Sequence, residues 1–248
     1  MERRATAFLS LGGLVLLWWL AALLVQDPAL LPDPLAIARL IWREAASGNL
    51  AFHLAATLAR VAAAFILSMA VGMAIGLLMG RSERADRWLD PWLIIFLNLP
   101  ALVTIVLCYL WIGLTEAAAV TAVALNKIPM VAAMLREGAR ALDPELDAMA
   151  KIYRMSAWAR FRHVHLPQLA PHSAAAARAG VALIWKIVLV VEFLGRSNGV
   201  GFQIHLYFQL FDVGMVLAYA LSFILVMLVI EKGALQPWER RVSRWRTA

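Results

Sequence analysis

The sequence contains little cysteine and little charge. Cys108 is the only cysteine, and 16% of the 248 residues are Asp, Glu, Lys or Arg. One cysteine excludes a disulfide within the chain and a cysteine-based metal site. Because Cys108 lies inside an apolar run, we expect it to be packed as a small buried hydrophobic residue.

Motifs for catalysis and nucleotide binding are also missing. The chain has no G-x-x-x-x-G-K-[ST] phosphate-binding loop, so it lacks the usual means of binding ATP. Its five histidines are scattered, and the nearest two, His163 and His165, would lie on different faces of a helix. An intramembrane enzyme would need a nucleophile and a base, or a metal-binding group, within its spans, and the sequence shows neither. We therefore predict no catalytic residue, no metal site and no cofactor on this chain.

Apolar residues dominate the sequence. They make up 63% of the chain, against roughly 45–50% in soluble domains. Most of them fall in six continuous runs, each near the ~20 residues that cross a bilayer as a helix. The runs cover residues 8–25, 61–79, 92–113, 117–135, 174–194 and 213–230. The sequence therefore predicts an all-α integral membrane protein with about six transmembrane helices, in a single domain of residues 1–248.

The 23 basic residues are divided unevenly between the two sides of these predicted spans. With the N-terminus inside, sixteen fall in inner segments, and those after the last span are Lys232, Arg240, Arg241, Arg244 and Arg246. Only four fall in outer segments, namely Arg39, Arg43, Arg60 and Arg196, and the remaining three, Lys127, Arg178 and Lys186, lie within the spans. Because basic residues flank the cytoplasmic ends of membrane spans, we predict that both termini are cytoplasmic. The net charge of +7 therefore reflects topology and not nucleic-acid binding.

The outer segment of residues 28–56 contains a different kind of helix. Leu35, Ala38, Ile41 and Trp42 recur at helical spacing, and charged residues fall between them. This spacing predicts an amphipathic helix that lies on the outer surface of the membrane.

The largest inner loop, residues 136–167, begins with the signals of a short helix. Asp143-Pro144-Glu145 provides an N-cap, a proline at the first helical position and an acid in the first turn. We predict that this helix ends near Arg154.

A second short helix is predicted to follow in the same loop. Ser156 is its N-cap, and Trp158, Phe161 and Val164 recur on one face. Leu166-Pro167 is predicted to end it, because proline disfavours the helical conformation of the preceding residue. An aromatic stripe beside basic side chains suits either a protein partner or an anionic lipid surface, and the residues alone leave both open.

Residues 156–167, SAWARFRHVHLP, resemble the cytoplasmic loop of ABC-importer permeases of the nitrate, sulfonate and taurine type. The signature of that loop is Glu-Ala-Ala, three residues, Gly, nine residues, an aliphatic residue, one residue and Leu-Pro. Aligned on Leu166-Pro167, the aliphatic position is Val164, the glycine position is Arg154 and the triplet is Ala148-Met149-Ala150. The sequence keeps the last alanine and the C-terminal half of the signature, and it lacks the glutamate and the glycine.

Four other segments support this resemblance and follow the order expected for the family. They are LPDPLA at residues 31–36, GLLMGRS at 76–82, LDPEL at 142–146 and EFLGRSNGVGF at 192–202. The resemblance implies the type I ABC-importer permease fold in a bacterial inner (cytoplasmic) membrane.

In that family, the short helices of the loop dock on a separate ATPase. The resemblance therefore implies an ATPase-coupling role for Ala148, Ala150, Arg154, Ser156, Trp158, Arg160, Phe161, Val164, Leu166 and Pro167. The partners that it implies are ABC ATPase subunits, a periplasmic solute-binding protein and a second permease subunit, which we expect to be identical.

The predicted spans also contain polar residues that could line a transport pathway, namely Asn98, Lys127, Lys186 and Glu192. A lysine at midspan costs roughly 2.5–3.5 kcal/mol on insertion scales, so it should face protein or water. Each lysine could attract an anion, or it could pair internally with Glu192 or Glu116 or bond to carbonyl groups freed by Pro129. Lys186 and Glu192 cannot pair along one helix, because six residues separate them by about 240°.

Asn98 and Pro100 also predict a break in the third span, since prolines and unwound segments interrupt helices that line transport pathways. A plain packing kink would give the same sequence pattern, so both interpretations stay open.

The predicted function is the membrane-spanning permease subunit of an ATP-driven, binding-protein-dependent importer of a small solute. We expect the solute to be a small anion such as a sulfonate or nitrate, and we expect ATP hydrolysis on a separate chain. The alternative is a stand-alone secondary carrier or channel. Carriers of that kind often have inverted repeats and acidic residues at midspan, and the sequence shows neither plainly.

Overall fold

The computed structural model describes residues 2–237, and within them it contains helices joined by loops and turns. The helices are α1 (Glu2–Val25), α2 (Pro34–Ala46), α3 (Asn49–Arg81), α4 (Glu83–Asn98), α5 (Ala101–Ile112), α6 (Glu116–Arg140), α7 (Pro144–Ile152), α8 (Ala157–Arg160), α9 (Leu166–Gly195), α10 (Val200–Gln209) and α11 (Val213–Ile230). Phe161–His165 and Glu231–Leu235 are π-helical turns. Arg240, Arg241, Arg244, Arg246 and Ala248, which enter the predicted topology, lie outside the described residues.

Four helices within the described residues are long and apolar enough to cross a bilayer. They are α3, α6, the continuous helix Ala157–Gly195 and the helix Val213–Gly233. The α4–α5 pair would be a fifth span, bent by 98°, and Leu9–Val25 of α1 is a shorter apolar helix. Each of the six predicted runs overlaps one of these segments. The structure therefore confirms the all-α integral membrane fold.

The α4–α5 pair is broken where the sequence predicts a break in the third span. Leu99 is extended, with φ −73° and ψ 123°, because the following Pro100 excludes the helical conformation at that position. The Asn98 side-chain amide turns back and donates to the carbonyl oxygen of Ile94 at 2.8 Å. This bond folds the Asn98 side chain back along α4.

The contact between α3 and α6 depends on glycine. Gly72, Gly76 and Gly80 lie on one face of α3 and repeat every four residues. A Cβ atom added at any of them would lie 2.5–2.6 Å from the nearest atom of α6. Small residues at this spacing allow helix backbones to approach closely in a membrane, so α3 and α6 form a tight pair.

Contacts along the chain divide it into two compact units. One comprises Met1–Thr57 and Glu192–Leu228, and the other comprises Leu58–Val191 and Val229–Ala248. In the second unit, Cys108 is 4% exposed and belongs to a hydrophobic cluster with Ile105, Val123 and Ile184. The expectation that Cys108 is a buried hydrophobic residue is therefore confirmed.

Helix α2, in the first unit, confirms the helix predicted after the first span, but its buried face differs from the predicted stripe. Leu35 and Trp42 are 55% and 76% exposed, whereas Ile37 and Glu44 are buried. The reason is a hydrogen bond from the Tyr219 hydroxyl of α11 to the Glu44 carboxylate, at 2.8 Å. Packing against α11 turns that side of α2 inward, and the Leu35–Trp42 side stays outside.

Candidate functional site

The loop between α6 and α9 begins with a well-formed helix N-terminus, as the sequence predicts. Asp143 is the N-cap of α7, and its carboxylate accepts the backbone N–H of Glu145 at 2.8 Å. The N–H of Asp143 itself donates to the side-chain oxygen of Gln168 at 2.9 Å, and the amide of Gln168 donates to the carbonyl oxygen of Val164 at 3.0 Å. These bonds attach the start of α7 to the start of α9.

Helix α7 ends in a turn that explains the glycine of the loop signature. Arg154, at the signature glycine position, has φ +50°. Its N–H donates to the carbonyl of Lys151, and the N–H of Met155 donates to the carbonyl of Ala150, each at 3.0 Å. This is a Schellman motif, in which a left-handed residue follows the helix and glycine is preferred. Arg154 adopts that conformation without the freedom of glycine.

The second helix of the loop begins as predicted but does not end as predicted. Ser156 caps α8, with its hydroxyl accepting the N–H of Ala159 at 3.2 Å. The predicted end at Leu166-Pro167 is wrong, because the helix continues through the π-turn Phe161–His165 into α9. In this turn the N–H of Leu166 donates to the carbonyl of Phe161. Proline near the start of the next helical segment is tolerated, since local π-type adjustment re-satisfies the backbone there.

The π-turn also changes which residues face outward. The rings of Trp158 and Phe161 lie 5.9 Å apart, and Trp158 is 67% exposed. Val164 is buried, although the sequence places it on the same face. Because a π-turn has more residues per turn than an α-helix, it rotates Val164 away from the aromatic pair.

Four apolar residues of this loop are exposed to a large extent. They are Met149, Ile152, Tyr153 and Trp158, which are 44%, 79%, 76% and 67% exposed. We refer to these four residues as the docking surface. Three of them, Met149, Ile152 and Tyr153, are on or at the end of α7 and were missed in the sequence. Their i, i+3 and i+4 spacing was the signal that could have found them.

A group of polar and charged residues attaches this loop to its neighbours. We call it the Asp147 cluster, and it consists of Asp147, Lys151, Arg160, His165 and Arg81. The Asp147 carboxylate lies 3.1 Å from Lys151 Nζ, 3.6 Å from Arg160 Nε and 3.0 Å from His165 Nε2. The hydrogen bond from His165, followed by that from Lys151, lowers the pKa of Asp147 to about 2. The carboxylate is therefore ionised at any physiological pH.

His165 connects this cluster to α3. Its Nδ1 lies 3.0 Å from Arg81 Nη1, and the side chain is 4% exposed. Since arginine can only donate, Nδ1 must accept, and the ring proton is on Nε2 and points to Asp147. Neutral His165 therefore joins α7, the π-turn and the end of α3. This role could not be predicted from the sequence, because His165 is 18 and 84 residues from its partners Asp147 and Arg81.

The predicted coupling residues differ in their surroundings. Ala150 and Ala148 are both on α7, where Ala150 is fully buried and Ala148 is exposed. Leu166 is 40% exposed and Pro167 is exposed. Arg160 is half-buried and points to Asp147.

Among the polar residues within the spans, Lys127 is buried at 7% exposure. Within residues 58–191, no carboxylate forms an ion pair with it, and Glu116 instead pairs with Arg60 at 2.6 Å. Lys186 is exposed, and its ammonium lies 5.5 Å from the centre of the Trp185 ring. Asn98 is exposed at the end of α4.

Glu192, in the first unit, is fully buried and already has partners. Its carboxylate accepts the hydroxyl proton of Thr57 at 2.9 Å and the N–H of Gly201 at 2.8 Å. Gly199 has φ +108°, and a Cβ atom there would lie 2.5 Å from a Glu192 oxygen. Glu192 thus sits at the N-terminus of α10, where the helix dipole favours a negative charge.

Comparisons with known proteins agree with this architecture. Residues 69–231 match the family described as "Binding-protein-dependent transport system inner membrane component". The chain is 35% identical to the putative aliphatic sulfonates transport permease SsuC of Escherichia coli K12, over 77% of this chain and 73% of SsuC. It is 32% identical to the riboflavin transport permease RibX of Chloroflexus aurantiacus, over 95% of this chain and 88% of RibX.

A solved structure has a similar fold. The inward-facing MetNI methionine ABC transporter aligns with a TM-score of 0.63 at 17% identity, over 76% of this chain and 93% of the matched chain. Together, the family match, the relatives and the membrane helices show a multi-pass transport subunit of the inner membrane and not an enzyme. This chain belongs to the family of binding-protein-dependent transport system inner-membrane components, the permease subunits of ABC importers.

Proposed function

We propose that two identical copies of this chain form the membrane pathway of an importer for a small organic anion, driven by ATP hydrolysis on separate chains. Residues 1–248 act in it as one permease domain with six spans and cytoplasmic termini. Residues 136–167 are its coupling loop. The observation that carries the proposal is the docking surface. It is exposed on a loop that the Asp147 cluster attaches to α3.

The loop is built so that it can pass a movement of the ATPase to a membrane helix. Apolar side chains on the docking surface are available to a partner, and aromatic anchors contribute about 2 kcal/mol or more each to an interface. The Asp147 cluster connects the same loop to α3, so a displacement of α7 is passed to a membrane helix. We assign direct contact with the ATPase to Ala148 and Trp158, together with Ile152 and Tyr153.

The other predicted coupling residues have supporting roles in this proposal. Ala150 and Val164 are buried and pack within the loop. Phe161 contacts the ring of Trp158, and Arg160 forms an ion pair with Asp147. Arg154 and Ser156 set the turn between the two short helices, and Leu166-Pro167 leads into the fifth span.

The ATPase belongs on another chain because this sequence has no phosphate-binding loop. A periplasmic binding protein would deliver the solute, as the family description supports.

For the solute, we propose a sulfonate. The SsuC relative is named for aliphatic sulfonates, and Lys127 is a buried cation without a carboxylate partner in its unit. A buried lysine of this kind is stabilised by an anion that passes through the pathway. We assign pathway lining to Asn98, Lys127 and Lys186, and we assign Glu192 to holding the N-terminus of α10. Because the relative RibX is named for riboflavin, the competing substrate class is a neutral heterocycle.

The docking surface is tested by co-purification of the ATPase with the permease from detergent. Trp158→Ala and Tyr153→Ala should each lower ATPase affinity by about 30-fold, since each removes an aromatic anchor worth about 2 kcal/mol. Binding-protein-stimulated ATP hydrolysis should fall with it, and insertion into the membrane should be unchanged.

Trp42→Ala is the matched control, because Trp42 is 76% exposed on α2, far from the loop in sequence. It should leave ATPase recovery unchanged. If the loop instead lies on anionic lipid, the Trp158 and Tyr153 variants will keep full ATPase recovery, and the proposal will be wrong.

A further inference from the structure

An apolar groove in the second unit is open beside α4. It lies between α3, α4 and α6 and has a volume of about 230 Å³. Its lining is almost entirely apolar and includes Ile75, Leu89, Phe96, Leu125 and Ile128. Nothing in the transport mechanism proposed above uses this groove.

One end of the groove meets a basic, aromatic recess. Arg84, Arg87, Trp88 and Trp92 line that recess, and Trp92 also lines the groove. Trp88 and Trp92 are 76% and 64% exposed. Tryptophan is enriched where a membrane meets water, so this end of the groove has the composition of the interface.

The two arginines of the recess are available to an external anion. Among the nearby carboxylates, Asp90 pairs with Arg136 and Asp86 pairs with Arg140, each at 2.5 Å, and Glu83 is exposed. Within residues 2–237, neither Arg84 nor Arg87 forms an ion pair. Arg87 Nε donates only to the backbone carbonyl of Glu83, at 3.3 Å.

We propose that this groove and recess form a binding site for one anionic phospholipid. The phosphate headgroup lies between Arg84 and Arg87, Trp88 and Trp92 flank the glycerol region, and an acyl chain fills the groove. The argument is complementarity, because an amphiphile with one anionic end matches an apolar groove that opens onto two unpaired guanidinium groups. Basic pockets between membrane helices on the cytoplasmic side bind anionic headgroups in this way. The residues of this site differ from those of the docking surface, so the inference goes beyond the proposed function.

The test is native mass spectrometry of the purified full chain, titrated with phosphatidylglycerol or phosphatidylcholine. The wild type should retain one phosphatidylglycerol in preference to phosphatidylcholine. Arg84→Gln/Arg87→Gln should weaken phosphatidylglycerol binding by about 30-fold, because each arginine near a membrane surface contributes roughly a fivefold gain in affinity for an anionic lipid. Leu125→Trp, which fills the groove and keeps both arginines, should also reduce binding.

Arg39→Gln/Arg162→Gln is the matched control, because it removes two exposed arginines that lie outside the groove. It should bind phosphatidylglycerol as the wild type does. Equal retention by the Arg84/Arg87 variant, or equal affinity for the two lipids, would overturn the proposal. So would displacement of the lipid by an alkanesulfonate at transport concentrations, which would make this a substrate site. Efficient Trp88→Cys cross-linking between two copies would assign the groove to a second permease instead.

Discussion

Asp147 and Lys127 are both charged residues, and their surroundings are opposite. Asp147 has two cationic neighbours, Lys151 and Arg160, a hydrogen bond from His165 and a pKa lowered to about 2. Lys127 is 7% exposed and has no carboxylate partner within residues 58–191. A charge with a full set of partners defines the local structure, and its loss damages that structure. A buried charge without partners costs stability, so it is retained for another reason, such as binding a solute.

This difference implies that substitutions at the two places have opposite effects on the stability of the protein. Removing one member of a satisfied charged group leaves its partners without their bonds, including the buried His165, which is destabilising. Removing a lone buried lysine relieves the cost of holding it in the membrane. Stability and transport should therefore fall together in the Asp147 cluster and diverge at Lys127.

The largest effect is expected at His165. His165→Phe keeps a buried ring but loses both hydrogen bonds, each to a charged group and worth about 1.5–3 kcal/mol. The coupling loop should separate from α3, and transport by the assembled importer should fall at least about tenfold. Hydrogen exchange of α7 should become faster by a comparable factor.

His165→Gln and His163→Phe are the matched variants for this experiment. Glutamine can accept from Arg81 and donate to Asp147, so it should restore most of the transport. His163 is exposed in the same turn, and its loss should have no effect. If the Phe and Gln variants behave alike, the bonds of His165 do not position the loop.

A change of opposite sign is expected at Lys127. Lys127→Met should raise the thermal unfolding midpoint by a few degrees, because a midspan lysine costs about 2.5–3.5 kcal/mol. It should at the same time reduce sulfonate transport several-fold. Lys127→Arg keeps the charge and should keep transport. A Met variant that loses stability would show that Lys127 has a structural partner, contrary to the comparison with Asp147.

The pH dependence of the loop follows from the lowered pKa of Asp147. Since this pKa is about 2 in the folded protein and near 3.8 without partners, the stabilisation is complete above about pH 4 and is lost as the pH falls towards 2. The carboxyl ¹³C resonance of Asp147 should show no titration between pH 7 and pH 4. His165→Phe should raise the pKa towards 3.8, because the His165 bond is its main cause. An unchanged pKa in that variant would assign the shift to Lys151.

The smallest effect is expected at Arg154, next to the same cluster. Arg154→Gly should stabilise α7 by about 1 kcal/mol, since a left-handed conformation costs about 1–2 kcal/mol for a residue with a Cβ and glycine loses more entropy on folding. Arg154→Ala should give no such gain. Slower hydrogen exchange of α7 in the glycine variant would show it, and equal exchange in both variants would contradict the strain at φ +50°.

Local sequence signals predicted much of the fold. The apolar runs locate the membrane helices because hydrocarbon thickness fixes their length. Asp143 and Ser156 begin helices as predicted, since capping depends on neighbouring residues alone. Pro100 breaks its span for an equally local reason, the exclusion of Leu99 from the helical conformation.

The sequence was less informative where a residue depends on distant partners. His165 was set aside because no ligand lies near it in sequence, yet its partners Asp147 and Arg81 are 18 and 84 residues away. The helix passes through Pro167 because a π-turn precedes it, and a π-turn has no clear signature in the residues. The buried face of α2 was likewise decided by Tyr219, 175 positions from Glu44.

The glycine face of α3 has a consequence for how the protein can move. Gly72, Gly76 and Gly80 fit against α6 only in one alignment, because a shift along the axis would bring side chains to places where even a methyl group has no room. Sliding by less than a full four-residue step, ~6 Å, is therefore blocked by steric contact. The two helices therefore move together as one rigid unit. Rotations during a transport cycle must then occur by backbone changes at the ends of this helix pair and at interruptions such as the extended residue Leu99.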